Sequence, residues 1–328
     1  EPSPSPSPQQ PEPSPAPEPS PSPVPEGPPP PPPPPAPSAP PPSSKVFNPD
    51  MAVIGNFTGA VGENDVDPRP SLSLEESEVS LQGVVDPYAR ADFFLTFSNE
   101  EVGVEEGYIT FTSLPAGFLL KVGKMKASFG KVNTMHPHIL PWVDLPLAQV
   151  NLLGGEEGLN DAGLSLSRLF PNSFMFLEAT GEVYRGEVEN LFAAPRRQDV
   201  ALVGRLRAYR DLSESTNLEA GGSVAHGTND AGPGYHTDVF GADVSLRWRP
   251  LRRAIYHRFL LRSELFWSRR EHPQDTVVDA GTGAVTAVGN ATAQAFGYYV
   301  SADYQLGRRW FAGGRYDWSE RALDPGLH

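Results

Sequence analysis

From Phe47 onward, apolar side chains return at every second residue in stretches of about ten, a period that a strand converts into one apolar and one polar face. Ala89, Ala91, Phe93, Leu95 and Phe97 fall on one side; Arg90, Asp92, Phe94, Thr96 and Ser98 fall on the other. Val200, Leu202, Gly204, Leu206 and Ala208 alternate in the same way with Ala201, Val203, Arg205, Arg207 and Tyr209. Phe240 to Trp248 and Phe296 to Tyr304 repeat the pattern, with charge confined to one face. Strands of soluble sandwiches usually run about 5–6 residues, whereas tilted membrane strands need about 9–11. No run of about 18 uncharged apolar residues offers a membrane helix. The fold expected is all-β, an antiparallel transmembrane β-barrel.

The links between these stretches alternate in length, as barrels with short periplasmic turns and longer outer loops require. Short links fall at Asp86-Pro87, Leu114 to Ala116, Phe170 to Asn172, Asp211 to Ser215, Pro250 to Tyr256 and Gly307-Arg308. Long ones cover Ala60 to Ser71, Ala127 to Gly158, Arg185 to Gln198, Gly227 to Gly234 and Arg270 to Ala293; Asn99 to Gly103 is brief. If Phe47 enters from the periplasm, every short link lies on the periplasmic side. The count is about thirteen strands, and single-chain bacterial barrels normally have an even number. The segment Asp324 to His328 does not read as a strand, so the barrel is expected to be C-terminally truncated, with about 16 strands when intact. Trp248, Trp267, Tyr304, Trp310 and Trp318 are expected near strand ends, as an aromatic girdle.

Before Ser44 the chain is of another kind, holding 24 of its 38 prolines, eight of them continuous from Pro28 to Pro35. Proline fixes φ and has no amide to donate, so residues 1–44 are expected to form a disordered, extended periplasmic arm, and 45–328 the barrel. Contact of the arm with the cell wall is one expectation. The net charge of −14 argues against a nucleic-acid partner. The absence of cysteine removes thiolate metal sites and cysteine nucleophiles.

Three stretches carry a family likeness: Lys121 to Lys131, then His136-Pro137-His138 with Leu140 to Asp144, then Gly314 to Asp317. With Asn48 to Asp50 and Ile54-Gly55, they resemble the porin O/P type family of phosphate-selective porins and relatives loosely labelled zinc-regulated TonB-dependent receptors. The resemblance implies an outer-membrane channel, often trimeric, that passes small solutes by diffusion. It departs from the family in lacking a dense ladder of arginine and lysine, and no plug domain is legible.

Ala127 to Gly158 is then the third outer loop, long enough to suggest a role. By analogy with porins, Lys131, His136, His138, Asp144, Glu156 and Glu157 are its constriction candidates. The pore lining expected from the polar faces comprises Arg90, Asp92, Lys121, Glu178, Glu182, Arg205, Arg207, Glu219, Asp243, Arg247, Arg262, Glu264, Asp303, Arg315 and Asp317. Two basic strands, Leu202 to Arg210 and Val244 to Arg249, beside the acidic stretch Phe174 to Glu182 favour charges segregated onto opposite walls. Two histidines flanking a proline do not make three or four converging ligands, so no metal and no cofactor is expected. No Gly-x-Ser-x-Gly stretch occurs, and an enzyme is not expected. The function expected is passive diffusion of small hydrophilic solutes or ions across a Gram-negative outer membrane, with lipid and lipopolysaccharide around a homo-oligomer. A structural or adhesive envelope barrel, or a metal-related receptor, is the alternative.

Overall fold

A computed structural model describes residues 49–59, 61–62, 71–97, 102–278 and 285–323. Two compact units divide the chain, Glu1–Ser43 and Ser44–His328, and the described residues belong to the second. The proline-rich arm and the terminal Asp324 to His328 lie outside the described residues.

Among the described residues, thirteen strands form one antiparallel sheet in which each pairs with the sheet strands next to it in chain order. They are β1 (Asp50–Gly59), β2 (Leu72–Asp86), β3 (Ala89–Phe97), β4 (Val102–Phe111), β5 (Phe118–Lys126), β6 (Asn160–Leu169) and β7 (Phe176–Tyr184). After these come β8 (Ala201–Ser213), β9 (Thr216–Thr228), β10 (His236–Trp248) and β11 (Arg258–His272). A separate hairpin, β12 (Asp275–Val278) with β13 (Val285–Val288), precedes β14 (Ala291–Gln305) and β15 (Phe311–Ser319). The number and order of strands in the sheet match the alternation. The hairpin does not: it falls within the link expected to be a plain loop, and β11 and β14 extend into that link from both sides. An apolar-polar pattern marks a wall strand, whereas a hairpin standing beyond the wall needs none.

Short turns have local causes. Asp86 Oδ1 accepts the Tyr88 amide at 2.6 Å across the β2–β3 turn. In the β6–β7 turn, Asn172 Oδ1 accepts the amides of Phe174 and Met175 at 3.0 and 2.9 Å.

The sheet is rolled, and chain geometry requires it. Eleven steps separate β2 from β15 in the strand order, roughly 53 Å if the sheet were flat. His136 lies 3.1 Å from Glu78 of β2, while Asp144 lies 2.9 Å from Arg315 of β15. Eight residues of chain reach about 29 Å at full stretch. The 3-10 turn Pro137–Ile139 shortens that span, and with side chains added at both ends it falls short of a flat sheet, so the wall curves around this segment.

The two faces separate by polarity. Phe93, Ile109, Val122, Leu164, Leu206, Val224, Val244, Leu265 and Val300 are exposed on the outside, while Glu78, Asp92, Ser165, Glu182, Ser223, Asp243, Glu264 and Ser301 are buried inside. An apolar exterior over a polar interior inverts the arrangement of a soluble protein and is that of an outer-membrane barrel. Of the expected girdle, Trp248 ends its strand, Tyr304 and Trp318 are each one residue from the end of theirs, and Trp310 immediately precedes β15. Trp267 sits five residues inside β11, facing outward.

Candidate functional site

The link 127–159 is folded into the barrel. Its helix α1 (Leu147–Leu152) packs against β11, β14 and β15. Ala127, Phe129, Ala148, Leu152, Leu153 and Leu159 are buried with Val203, Ala225, Val239, Phe266 and Ala295 of the wall, and with Val188, Leu191 and Phe192 of the β7–β8 link. Small wall residues make the room. A Cβ on Gly241 would stand 2.7 Å from the Phe129 ring, and one on Gly227 would stand 2.7 Å from the Phe192 ring.

Polar wall residues then capture the loop backbone. The Ser128 amide donates to Glu182 of β7 at 2.8 Å, and the Gly130 amide to Ser223 Oγ of β9 at 3.1 Å. Glu264 of β11 accepts the amides of Lys131 and Val132, both at 2.9 Å, and the Tyr299 hydroxyl at 2.9 Å. Each buried amide finds an acceptor because the wall supplies one where the loop has no ladder partner. Asn133 closes the loop on itself: its amide donates to the carbonyls of Ala127 and Leu159, and its oxygen accepts from Gln149 and the Leu159 amide.

At the opposite wall the loop presents His136 and His138 to three buried carboxylates. A bulge sets these up: Phe94 pairs with Glu106 and Leu95 with Val104, so Glu105 is the extra residue and two consecutive carboxylates are buried on one side of β4. His136 Nε2 lies 2.8 Å from Glu106, and its Nδ1 lies 3.1 Å from both Glu78 and Glu105. His138 Nδ1 is 3.2 Å from the same Glu78 oxygen. Lys126 pairs with Glu105 at 2.9 Å, and Phe94 packs on the His136 ring. Burial opposes a charge on His136, but the hydrogen bonds and charges of Glu105 and Glu106 outweigh it and push the imidazole up to about 10.

Beneath the loop is a cavity of about 450 Å³ lined by Lys121, Ser165, Glu178, Arg205, Arg207 and Glu219 of the wall, with Ser128, Gly130 and Lys131 of the loop. The wall charges are interleaved, which corrects the expectation of segregated walls. Arg205 pairs with Asp243 at 2.9 Å, Arg207 with Glu178 at 3.6 Å, and Lys131 with Glu219 at 3.0 Å. Arg262 pairs with Asp303 at 3.2 Å, and Arg90 and Arg315 each take the aspartate two residues on, Asp92 and Asp317, at 2.8 Å. Unpaired charge would be costly in a confined lumen; Arg207–Glu178 and Arg262–Asp303 join neighbouring strands, while Arg205 reaches Asp243 across β9. Lys121 stands over the Tyr108 ring, and Arg247 lines a second cavity with Arg249, Arg258 and Arg262.

Of the expected constriction residues, Lys131, His136 and His138 reach the wall, and Asp144 binds Arg315. Glu156 and Glu157 do not join them: both are exposed, beside Glu189 and Arg321 in a separate cleft. The turn Gly154-Gly155, with both residues at positive φ, directs them away from the loop's buried side. Glu78, Glu105, Glu106 and Asn133 were not singled out by sequence, and Trp142 entered only through the likeness over Leu140 to Asp144. Trp142 lies edge-on to Tyr299 and under the guanidinium groups of Arg262 and Arg315.

No family model matches the chain. An uncharacterised protein of Aquifex aeolicus (strain VF5) is 34% identical over 176 residues, which is 46% of this chain and 37% of that protein. The match thus spans little more than a third of the relative's length. Among solved structures, in-vitro folded OmpT, an outer membrane protein of Vibrio cholerae, aligns at a TM-score of 0.36 with 8% identity, over 83% of this chain and 85% of that one. A loop L8 deletion mutant of the same protein gives 0.38 and 9%, over 85% and 93%. The expectation that the chain is not an enzyme is withdrawn. The alignments, both to forms of OmpT, lend it no support. The outer-membrane β-barrel rests on the rolled sheet and its apolar exterior.

Proposed function

We propose that this chain is a porin-like channel, akin to the porin O/P type, that passes small hydrophilic solutes or ions passively across a Gram-negative outer membrane. The observation that carries this reading is the inward-folded 127–159 loop over a charged, polar cavity inside a sheet whose exterior is apolar. Such a loop narrows a lumen to a passage whose walls set which solutes fit. Interleaved charge favours small polar solutes over a strong preference for one sign of ion. The reading places the short turns and the N-terminal arm in the periplasm, and a homo-oligomer, trimeric as in the family it resembles, in the membrane.

A second reading, an anchoring or adhesive envelope barrel, draws on the same charge pairs, because paired side chains and an apolar loop cluster also suit a closed lumen. Liposome swelling separates the two. Vesicles carrying the full chain should swell in arabinose faster than in a trisaccharide; an anchor leaves both rates at those of empty vesicles.

A further inference from the structure

The cluster around His136 is out of balance as it stands. Glu78, Glu105 and Glu106 are buried together, and Lys126 supplies one fixed positive charge against three carboxylates. Buried charge is tolerated only when paired. Glu106 faces His136 Nε2 at 2.8 Å. The ring's other nitrogen faces oxygens of Glu78 and Glu105, each at 3.1 Å. Protein donor atoms thus converge on one small, negatively charged space.

The spacing fits a metal ion. One oxygen of Glu78 and one nitrogen each of His136 and His138 lie within 4.8 Å of one another. The contacts of 3.1 and 3.2 Å that Glu78 makes to the two imidazoles are close to the edges of a tetrahedron whose ligands sit about 2.0–2.2 Å from a central zinc. The Glu106–His136 contact has the form of the outer carboxylate that fixes a ligating histidine's tautomer and orientation. His138, partly exposed, gives the site an entrance.

We propose that Glu78, His136 and His138 bind a divalent transition-metal ion of the zinc class, with Glu105 or water at the fourth position and Glu106 orienting His136. The ligands come from β2 and from the inserted loop, so the ion ties the loop to the wall. This site stands whether or not the barrel conducts.

The test is titration of the untagged full chain, folded in detergent, with Zn²⁺ alone, and with Co²⁺ to read coordination by its visible absorption. The expected result is saturable binding of one ion per chain, with the intense bands of low-coordinate cobalt. Glu106→Gln, which meets His136 at its far nitrogen and keeps an oxygen for the Lys126 amide, should weaken binding by about 10- to 100-fold. His138→Gln should cost about 10-fold or more, with heat-modifiable migration showing that the barrel still folds. His226→Gln, in the exposed pair with Asp238, should bind as the parent does. Absence of saturable binding by the parent, or parental affinity in both Glu78→Gln and His138→Gln, would overturn the proposal.

Discussion

Single residues decide how the loop is held. Glu264 is fully buried and accepts three donors, two of them loop amides. Glu264→Ala leaves those donors without an acceptor at about 1–3 kcal/mol each, so a loss of about 3 kcal/mol or more is expected in urea unfolding from micelles. Faster hydrogen exchange at Lys131 and Val132 should accompany it. Exchange unchanged from the parent would mean that the loop is held elsewhere. Glu264 was legible as an inward-facing residue from its place in the alternation, but its partners lie 132 and 133 residues away, a distance no local pattern spans. The histidines show the same limit. Sequence read them as a pair short of ligands, because Glu78 is 58 residues from His136 and the β4 bulge that turns Glu105 inward breaks the period on which the reading relied.

At the level of elements, strand order and the alternation of short and long links were legible because each wall strand faces lipid on one side and the lumen on the other, which imposes the two-residue period. Loops meet no such constraint. Helix α1 and the β12–β13 hairpin therefore left no mark, and the fate of Glu156 and Glu157 depended on two glycines at positive φ. The fit between loop and wall is steric as well as polar. Gly241→Leu forces a side chain into the Phe129 ring, and overpacking of this kind costs about 1–3 kcal/mol. Lowered thermal stability and faster tryptic cleavage after Lys131 are expected, the latter because the loop is pushed from its seat. Cleavage no faster than in the parent would show that the wall yields instead of the loop.

For the molecule as a whole, the two faces define the environment. Val244 stands mid-strand on the exposed side of β10, paired with Ala220 and Ser263. If that side meets lipid, Val244→Arg should destabilise the barrel in liposomes by about 2–4 kcal/mol near the midplane, while Val244→Leu should be close to neutral. Equal stability of the two variants would argue that the exterior is wet. The inside is settled by conduction. Planar-bilayer recording of the full chain beside a variant in which residues 134–156 are replaced by a short Gly-Ser link is the most direct measurement. Discrete stepwise currents are expected from the parent, with a several-fold larger step in the shortened variant as the constriction is removed. Heat-modifiable barrels that stay silent in both forms would contradict a channel.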